Sequence, residues 1–331
     1  MEVVVSAPTT ANETGKKTAL VTGASGFIGS ALVQRLLDRQ YSVHVLSRHP
    51  LEEGPDASDC HQFTGDIRDE EILREACAGV DVVFHLAAYA HVNQLDDIQM
   101  HATNVEGTRA VLAAALVSGV RRIVFFSSSL ADDALTSYGR AKRDAEELLL
   151  AAASRGEIEV CCLRPVNVYG PAMKGNLLTL IRLISKGVFP PLPTPGAALS
   201  LVGHRDLCEA ALLAAESPRA KGQIYAVTDG RTYTMKGIEV TVRRALGKSP
   251  RRWQTPLPLL WAAAAVVEVL GKVLRLKNAP GLRSYRVLTT DNVFSCEKIQ
   301  NELGYNPAAT LTDELPAILQ RLQNEQQKAR D

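Results

Sequence analysis

Short apolar runs alternate with stretches of helical periodicity through the first half of the chain, and this alternation limits the fold more than any other feature. Segments 19–22, 42–46, 82–86, 122–127 and 160–164 read as strands, and 28–39, 69–78, 104–118 and 137–152 as helices. Parallel strands joined by helices close through right-handed crossovers. The pattern therefore predicts a parallel sheet covered on both faces, an α/β, doubly wound domain. After Tyr169, Gly170 and Pro171 the rhythm changes, and Pro190, Pro191, Pro193 and Pro195 mark a loop. Residues 206–215 read as a helix and 223–228 as a strand that returns to the main sheet, and a smaller C-terminal lobe is expected.

At 331 residues, 46% of them hydrophobic and 22% charged, the chain is long enough to bury a large core. Its 37 basic and 36 acidic residues leave a formal charge of +1, so no overall field recruits nucleic acid, and an anionic ligand must be held locally. Six cysteines without a C-x-x-C pair argue against a zinc site and a disulfide framework and suit a reducing cytoplasm. The seven histidines are scattered and no metal is expected. The segment before Thr18 has neither a basic start nor a long apolar run, and it reads as a disordered tail, not a signal peptide. Segment 257–267 is apolar throughout, with Trp253 and Trp261 beside or within it, yet falls short of the ~20 residues that span a bilayer. A buried lobe helix is the favoured reading. Flanking Arg251, Arg252, Lys272, Arg275 and Lys277 also permit peripheral contact with a membrane surface.

The first predicted strand runs into Thr22-Gly23-Ala24-Ser25-Gly26-Phe27-Ile28-Gly29, and helical periodicity begins at once. Glycines at this spacing allow a tight turn, close approach of a pyrophosphate to the backbone, and close packing of helix on strand. The helix N-terminus adds free N–H groups, so the loop reads as a dinucleotide site. Tyr138 and Lys142 stand four apart on a helical pattern and share one face. A phenol of pKa about 10 becomes a base near neutrality only if the phenolate is favoured by about 4 kcal/mol, much of which a neighbouring ammonium can supply. At the end of the second strand no acid stands ready for a ribose 2′-hydroxyl. Arg48 there suits a 2′-phosphate, which favours NADP slightly over NAD.

Together with Gly65-Asp66-Ile67, His85-Leu86-Ala87-Ala88, Asn104-Val105-Glu106-Gly107-Thr108, Ser127-Ser128-Ser129, Tyr138-Gly139-Arg140-Ala141-Lys142 and Arg164-Pro165-Val166-Asn167-Val168-Tyr169-Gly170-Pro171, the glycine loop resembles the extended short-chain dehydrogenase/reductase family. The likeness is to its NAD-dependent epimerase/dehydratase branch, whose type is the UDP-glucose 4-epimerase, and runs from Thr18 to about Leu315. It implies a Rossmann-type sheet with a smaller C-terminal α/β substrate lobe. The division expected is a tail at 1–17, an NAD(P)-binding domain at 18–171 to which 197–229 returns, and a substrate-binding lobe from 172–196 and 230–331. The resemblance makes Tyr138 the general acid/base, Lys142 its partner and anchor of the nicotinamide ribose, and Ser129, with Ser128 second, the hydroxyl on the same substrate oxygen. Cofactor contacts are implied for Gly23, Ser25, Gly26, Phe27, Ile28, Gly29, Arg48, Asp66, Ile67, Leu86, Ala87, Ala88, Asn104, Ser127 and Pro165. Substrate contacts are implied for Asn167 and Asn176, and Arg205 and Arg286 are among the candidates to replace the β-phosphate arginine of the family. Two departures from the family pattern are the short step of nine residues from Ser129 to Tyr138 and Leu199 where an arginine for the β-phosphate is usual.

The function expected is an NAD(P)-dependent nucleotide-sugar 4-epimerase of surface-polysaccharide biosynthesis, acting through a transient 4-keto intermediate in the cytoplasm as a homodimer. An NADPH-dependent reductase of a 4-keto sugar nucleotide or related carbonyl is the first alternative, and a non-catalytic NADP-binding sensor the alternative from another class. Dehydration is disfavoured because Leu130, not an acid, follows the serines, with Asp132 and Asp133 further on. If 253–277 lies on a membrane, a polyprenyl-diphosphate-linked sugar becomes a candidate substrate.

Overall fold

The computed structural model describes residues 16–51, 59–89, 97–189, 191, 197–251, 253–273, 281, 282, 285 and 289–328. The predicted tail, up to residue 15, and Arg286 lie outside the described residues. The chain divides into two compact units, 1–164 with 211–224 and 165–210 with 225–331.

The first unit opens with β1 (Thr18–Thr22), α1 (Phe27–Asp38), β2 (Ser42–Ser47), β3 (Cys60–Thr64), α2 (Glu70–Cys77) and β4 (Val82–His85). A short helix, α3 (Asp97–His101), runs through a wide π-type turn at Ala102–Glu106 into α4 (Gly107–Val117). Then follow β5 (Arg122–Phe126), α5 (Ser137–Ser154) and β6 (Glu159–Pro165). The strand order β3-β2-β1-β4-β5-β6, with β9 (Gln223–Val227) as seventh strand beyond β6, and the parallel pairings from β3 to β6 give the doubly wound Rossmann topology that the alternation predicts. All five residues of β1 are buried, as a central strand covered on both faces requires. On one face Leu20, Val83, Ile123 and Val160 pack under Leu73, Val111 and Leu149 of the helices. Each such side chain contributes roughly 1.5–3 kcal/mol.

The sequence pattern did not reveal β3, whose Cys60-His61-Gln62-Phe63-Thr64 is a half-exposed edge strand and carries no apolar run. At the foot of β5, Arg122 is 1% exposed. Its guanidinium donates to the carbonyl oxygens of Ala214, Ala215 and Ser217 and to the Glu159 carboxylate at 2.6–2.9 Å. The last turn of α7 (His204–Glu216) supplies two of those carbonyls, so a buried cation meets the negative end of a helix.

In the second unit β7 (Asn167–Tyr169) pairs with β8 (Ala198–Gly203), which also pairs antiparallel with β10 (Thr232–Thr234). That pairing puts 197–210 in this unit, whereas 211–224 belongs to the first. The unit also holds α6 (Asn176–Ser185), α8 (Met235–Ala245), α9 (Leu257–Val273), α10 (Glu297–Leu303) and α11 (Leu311–Lys328). Tyr233 donates to Asp229, whose carboxyl burial pushes up, and the single hydroxyl proton of Tyr169 is shared between Asp229 and Ala309 O. In Glu302-Leu303-Gly304-Tyr305-Asn306-Pro307, Gly304 closes α10 at φ 72°, and buried Tyr305 donates to Thr228 O.

One expectation fails here. Segment 257–267 lies in the helix α9, but that helix is not buried: Leu259, Trp261, Val266, Val269 and Leu270 are each more than half exposed. Apolar composition forecasts burial only when some surface covers the helix, and among the described residues nothing covers this face.

Candidate active site

Gly23 lies in the left-handed region at φ 74°, where a Cβ would meet Ala87 N at 2.8 Å, so glycine there lets the loop after β1 touch the stretch after β4. A Cβ on Gly29 would strike Gly23 O, so that glycine lets α1 close on the loop. At the start of α1, Gly26 is extended and offers no side-chain cap, which leaves first-turn N–H groups for a ligand. Ser25 and Gly26 are exposed beside it, and Phe27 and Ile28 are half-buried. The described loop therefore fits a pyrophosphate on three counts: the glycine packing, the uncapped helix end and the small Ala87 and Ala88 opposite.

Behind the loop runs a chain of buried hydrogen bonds that the sequence does not announce. Ala87 N–H donates to Thr22 Oγ1, which donates to His85 Nδ1 at 2.7 Å. His85 Nε2 bonds Thr108 Oγ1 at 3.0 Å, and Thr108 donates to Asn104 O at 2.7 Å. Since Thr108 spends its only proton on Asn104 O, it accepts from His85. The ring is thereby fixed as the Nε2–H tautomer. Burial, with the Lys142 charge second, pushes His85 down to about 3, so it stays neutral. Asn104 accepts from Tyr89 N–H at 2.7 Å and donates to Tyr89 O at 3.1 Å, pinning the Tyr89 backbone. Its amide thus serves the backbone directly. Ile67 packs over Gly107, and Leu86 is half-buried.

Tyr138, Lys142 and Glu146 stack at successive turns of α5. Tyr138 lies half-buried against Met100, Val105 and Ala141, and burial pushes its phenol up to about 12. Lys142 is 2% exposed; its Nζ donates to Phe126 O at 2.7 Å and sits 4.6 Å above the Phe125 ring. Burial pulls Lys142 down to about 8, against the opposing effect of Glu146. Glu146 in turn forms a two-pronged pair with Arg164 at 2.7 and 2.9 Å, and Arg164 also holds Asp132 at 2.8 Å. Glu146, held in this way, favours the Lys142 ammonium electrostatically, and Phe126 O is the group that anchors it.

The three serines take different positions. Ser127 is buried, and its hydroxyl has no hydrogen-bond partner among the described residues. Ser128 caps the turn Ser129–Ala131 by accepting from Leu130 N–H, and Ser129 is 7% exposed. The short passage to Tyr138 is closed by Asp133 accepting from Leu135 N–H, Ala134 at φ 52° and Thr136 capping α5 through Gly139 N–H. A Cβ on Gly139 would strike Leu130 O, so the glycine after Tyr138 is what lets this loop be short.

Beyond β2 Arg48 is exposed, and its charge joins Arg68 in lowering Asp66. The first cause is the Arg68 side chain, which grips Asp66 at 2.8 Å through two nitrogens. Pro165 ends β6. In the second unit Asn167 is exposed on β7, Asn176 begins α6 and Arg205 is exposed in the first turn of α7. Leu199 is 4% exposed in β8, a position that offers no group to a diphosphate. Among the described residues no group of His, Cys, Asp and Glu is arranged to hold a metal ion.

A family model described as "NAD dependent epimerase/dehydratase family" matches residues 19–228. The chain is 31% identical to the UDP-glucose 4-epimerase of Vibrio cholerae over 90% of this chain and 93% of that one. It is 30% identical to the 4-hydroxy-2-methyl-3-oxo-4-farnesyl-3,4-dihydroquinoline-1-oxide ketoreductase of Stigmatella aurantiaca, over 91% and 95%. Among solved structures, UDP-glucose 4-epimerase of Thermotoga maritima with UDP-glucose superposes with a TM-score of 0.71 at 21% identity, over 93% of this chain and 99% of that one. The family match spans the glycine loop, the His85 chain and the Tyr138 and Lys142 pair, and the chain belongs to the NAD-dependent epimerase/dehydratase family of the extended short-chain dehydrogenases/reductases.

Proposed function

We propose that the chain is a nucleotide-sugar 4-epimerase in which Tyr138 exchanges a proton with the sugar hydroxyl while Lys142 stabilises the phenolate. The observation that carries this reading is Lys142 itself. A buried ammonium is costly, and the protein keeps it one turn from Tyr138 with a dedicated backbone acceptor and Glu146 behind it. Bound NAD(P)+ would supply the hydride acceptor and, once reduced, the donor. Gly23, Ser25, Gly26, Phe27, Ile28 and Gly29 would hold its pyrophosphate, with Ala87 and Ala88 opposite, and Asp66 and Ile67 its adenine. Tyr138 Oη takes the hydroxyl proton as the sugar carbon gives up hydride, and a serine, Ser129 or Ser128, donates to the same oxygen. The 4-keto sugar turns, hydride returns to its other face, and Tyr138 gives the proton back. In the second unit Asn167, Asn176 and Arg205 are the candidates for the nucleotide end. Bringing the phenol from about 12 to near 7 demands about 7 kcal/mol, which the Lys142 ammonium and a cationic nicotinamide would share.

A second reading, an NADPH-dependent reductase with the same Tyr138 chemistry, is favoured by two guanidiniums, Arg48 and Arg68, flanking Asp66, and by the likeness to a ketoreductase. Elimination gains no support, since Asp132 is held by Arg164. Incubation with a panel of UDP-hexoses separates the two. Epimer formation without added NADPH is the expected result; stoichiometric loss of NADPH absorbance with a 4-keto sugar would transfer the assignment to reduction.

A further inference from the structure

The helix α9 turns the usual amphipathic arrangement outward. Leu259, Ala262, Ala263, Val266, Val269 and Leu270 stand at positions i, i+3, i+4, i+7, i+10 and i+11, form one stripe, and are all exposed, three of the four large ones by 55–60% and the other by 51%. The better-covered positions are Leu260, Ala264, Ala265, Glu268 and Gly271, on the other side of the helix. Glu268, the only carboxylate on the helix, is on that covered face and accepts from Leu282 N–H at 3.0 Å. The exposed stripe is therefore uncharged along its length. A contiguous apolar surface of this kind is rare on a monomer without a partner.

Charge identifies the partner. Between residues 243 and 277 eight side chains are Lys or Arg and one, Glu268, is acidic. The rest of the chain holds 29 basic against 35 acidic residues, a balance of −6, so the overall +1 conceals a strongly basic segment centred on the apolar helix. An apolar stripe flanked by basic residues in the sequence, with Trp253 exposed just before the helix, is what a helix lying in the interface of an anionic bilayer requires, while exposed Trp261 projects from the Glu268 side. None of the described helices is long and apolar enough to cross a membrane, so the contact is peripheral. A second copy of the chain would have to bring the same basic flanks to this stripe, which argues against self-association.

We infer that α9 docks this protein on an anionic phospholipid surface through the Leu259, Val266 and Val269 stripe, independently of which carbonyl chemistry the chain performs. Trp253, exposed just before α9, and Trp261 are the only tryptophans of the chain, so the unmodified protein reports on its own docking chiefly through Trp253. The full chain, without substrate or cofactor, is mixed with phosphatidylcholine vesicles containing or lacking about 30% phosphatidylglycerol. The expected result is a blue shift and quenching by brominated lipid, with an affinity about tenfold higher for the anionic vesicles that falls in high salt. The variant Leu259→Ser/Val266→Ser/Val269→Ser should stay in the supernatant with an unchanged circular dichroism spectrum. Unquenched tryptophans in the native chain would overturn the proposal, as would undiminished binding of the triple variant. A native dimer that the variant loses, with no vesicle binding by either, would assign the stripe to a second copy. Because the readout contains no turnover, its failure leaves the epimerase reading intact, and failure of that reading leaves this one.

Discussion

Lys142 carries its charge in the core at a cost to the apo fold. Its pKa in the folded protein, about 8, lies below the ordinary 10.5, so the unfolded chain binds the extra proton between those values. The penalty, roughly 3 kcal/mol, is fully present below pH 8 and disappears as the pH rises towards 10.5. The cofactor-free protein should therefore gain stability from this group across that window. Lys142→Met should remove that gain and raise the melting temperature at pH 7, even after losing the bond to Phe126 O, while turnover collapses. Denaturant titrations of both proteins at pH 7 and pH 10 check this; equal pH slopes would refute it. Tyr138→Phe should lower turnover by about 10²–10⁴-fold and leave the affinity for dinucleotide unchanged by calorimetry. These two residues were legible from spacing and motif alone. The chain Thr22, His85, Thr108 and Asn104 was not, because its members stand 63, 23 and 4 positions apart, and it takes the pairing of β1 with β4 and the packing of the start of α4 beside His85 to join them.

Among elements, the loop between the serines and α5 is where short length is purchased with unusual backbone. Ala134 occupies the left-handed region, and Gly139 faces Leu130 O where no side chain fits. Ala134→Gly should stabilise the protein by up to about 1 kcal/mol, whereas Gly139→Ala should destabilise it by about 1–3 kcal/mol and lower turnover by displacing Tyr138. Thermal melts and initial rates on the two variants test the pair, and opposite signs in stability are the decisive result. The alternation that predicts β1, β2, β4, β5 and β6 says little about β3, because an edge strand buries only part of itself and needs no apolar run. The same logic misleads for α9: an apolar helix in sequence looks identical whether it is covered by its own fold or waits for something else. Two-faced burial is written in composition, but the identity of the covering surface is not.

In the whole molecule, the expected sheet of parallel strands was readable because crossovers of this kind obey one handedness, whereas the return of 211–224 to the first unit is held by contacts between residues far apart in sequence: buried Ala211, Ala214 and Ala215, Gly222 N–H on Val160 O, and the buried cation Arg122. Arg122, 37 residues from Glu159 and 92 to 95 from its carbonyl acceptors, gives no local sign of either. A fragment ending at Arg164 would leave that guanidinium in the core without three of its acceptors and β6 without a neighbour on its outer side, a combination costing several kcal/mol. Residues 16–164 expressed alone should be aggregated or molten, with weak near-ultraviolet dichroism; a sharp thermal transition would show the acceptors to be dispensable. The chain passes between its units after 164, 210 and 224. No single cut in the gene yields either unit whole, so exchanging one unit with that of a relative requires three splice points, and any single crossover leaves at least one unit a hybrid of two parents.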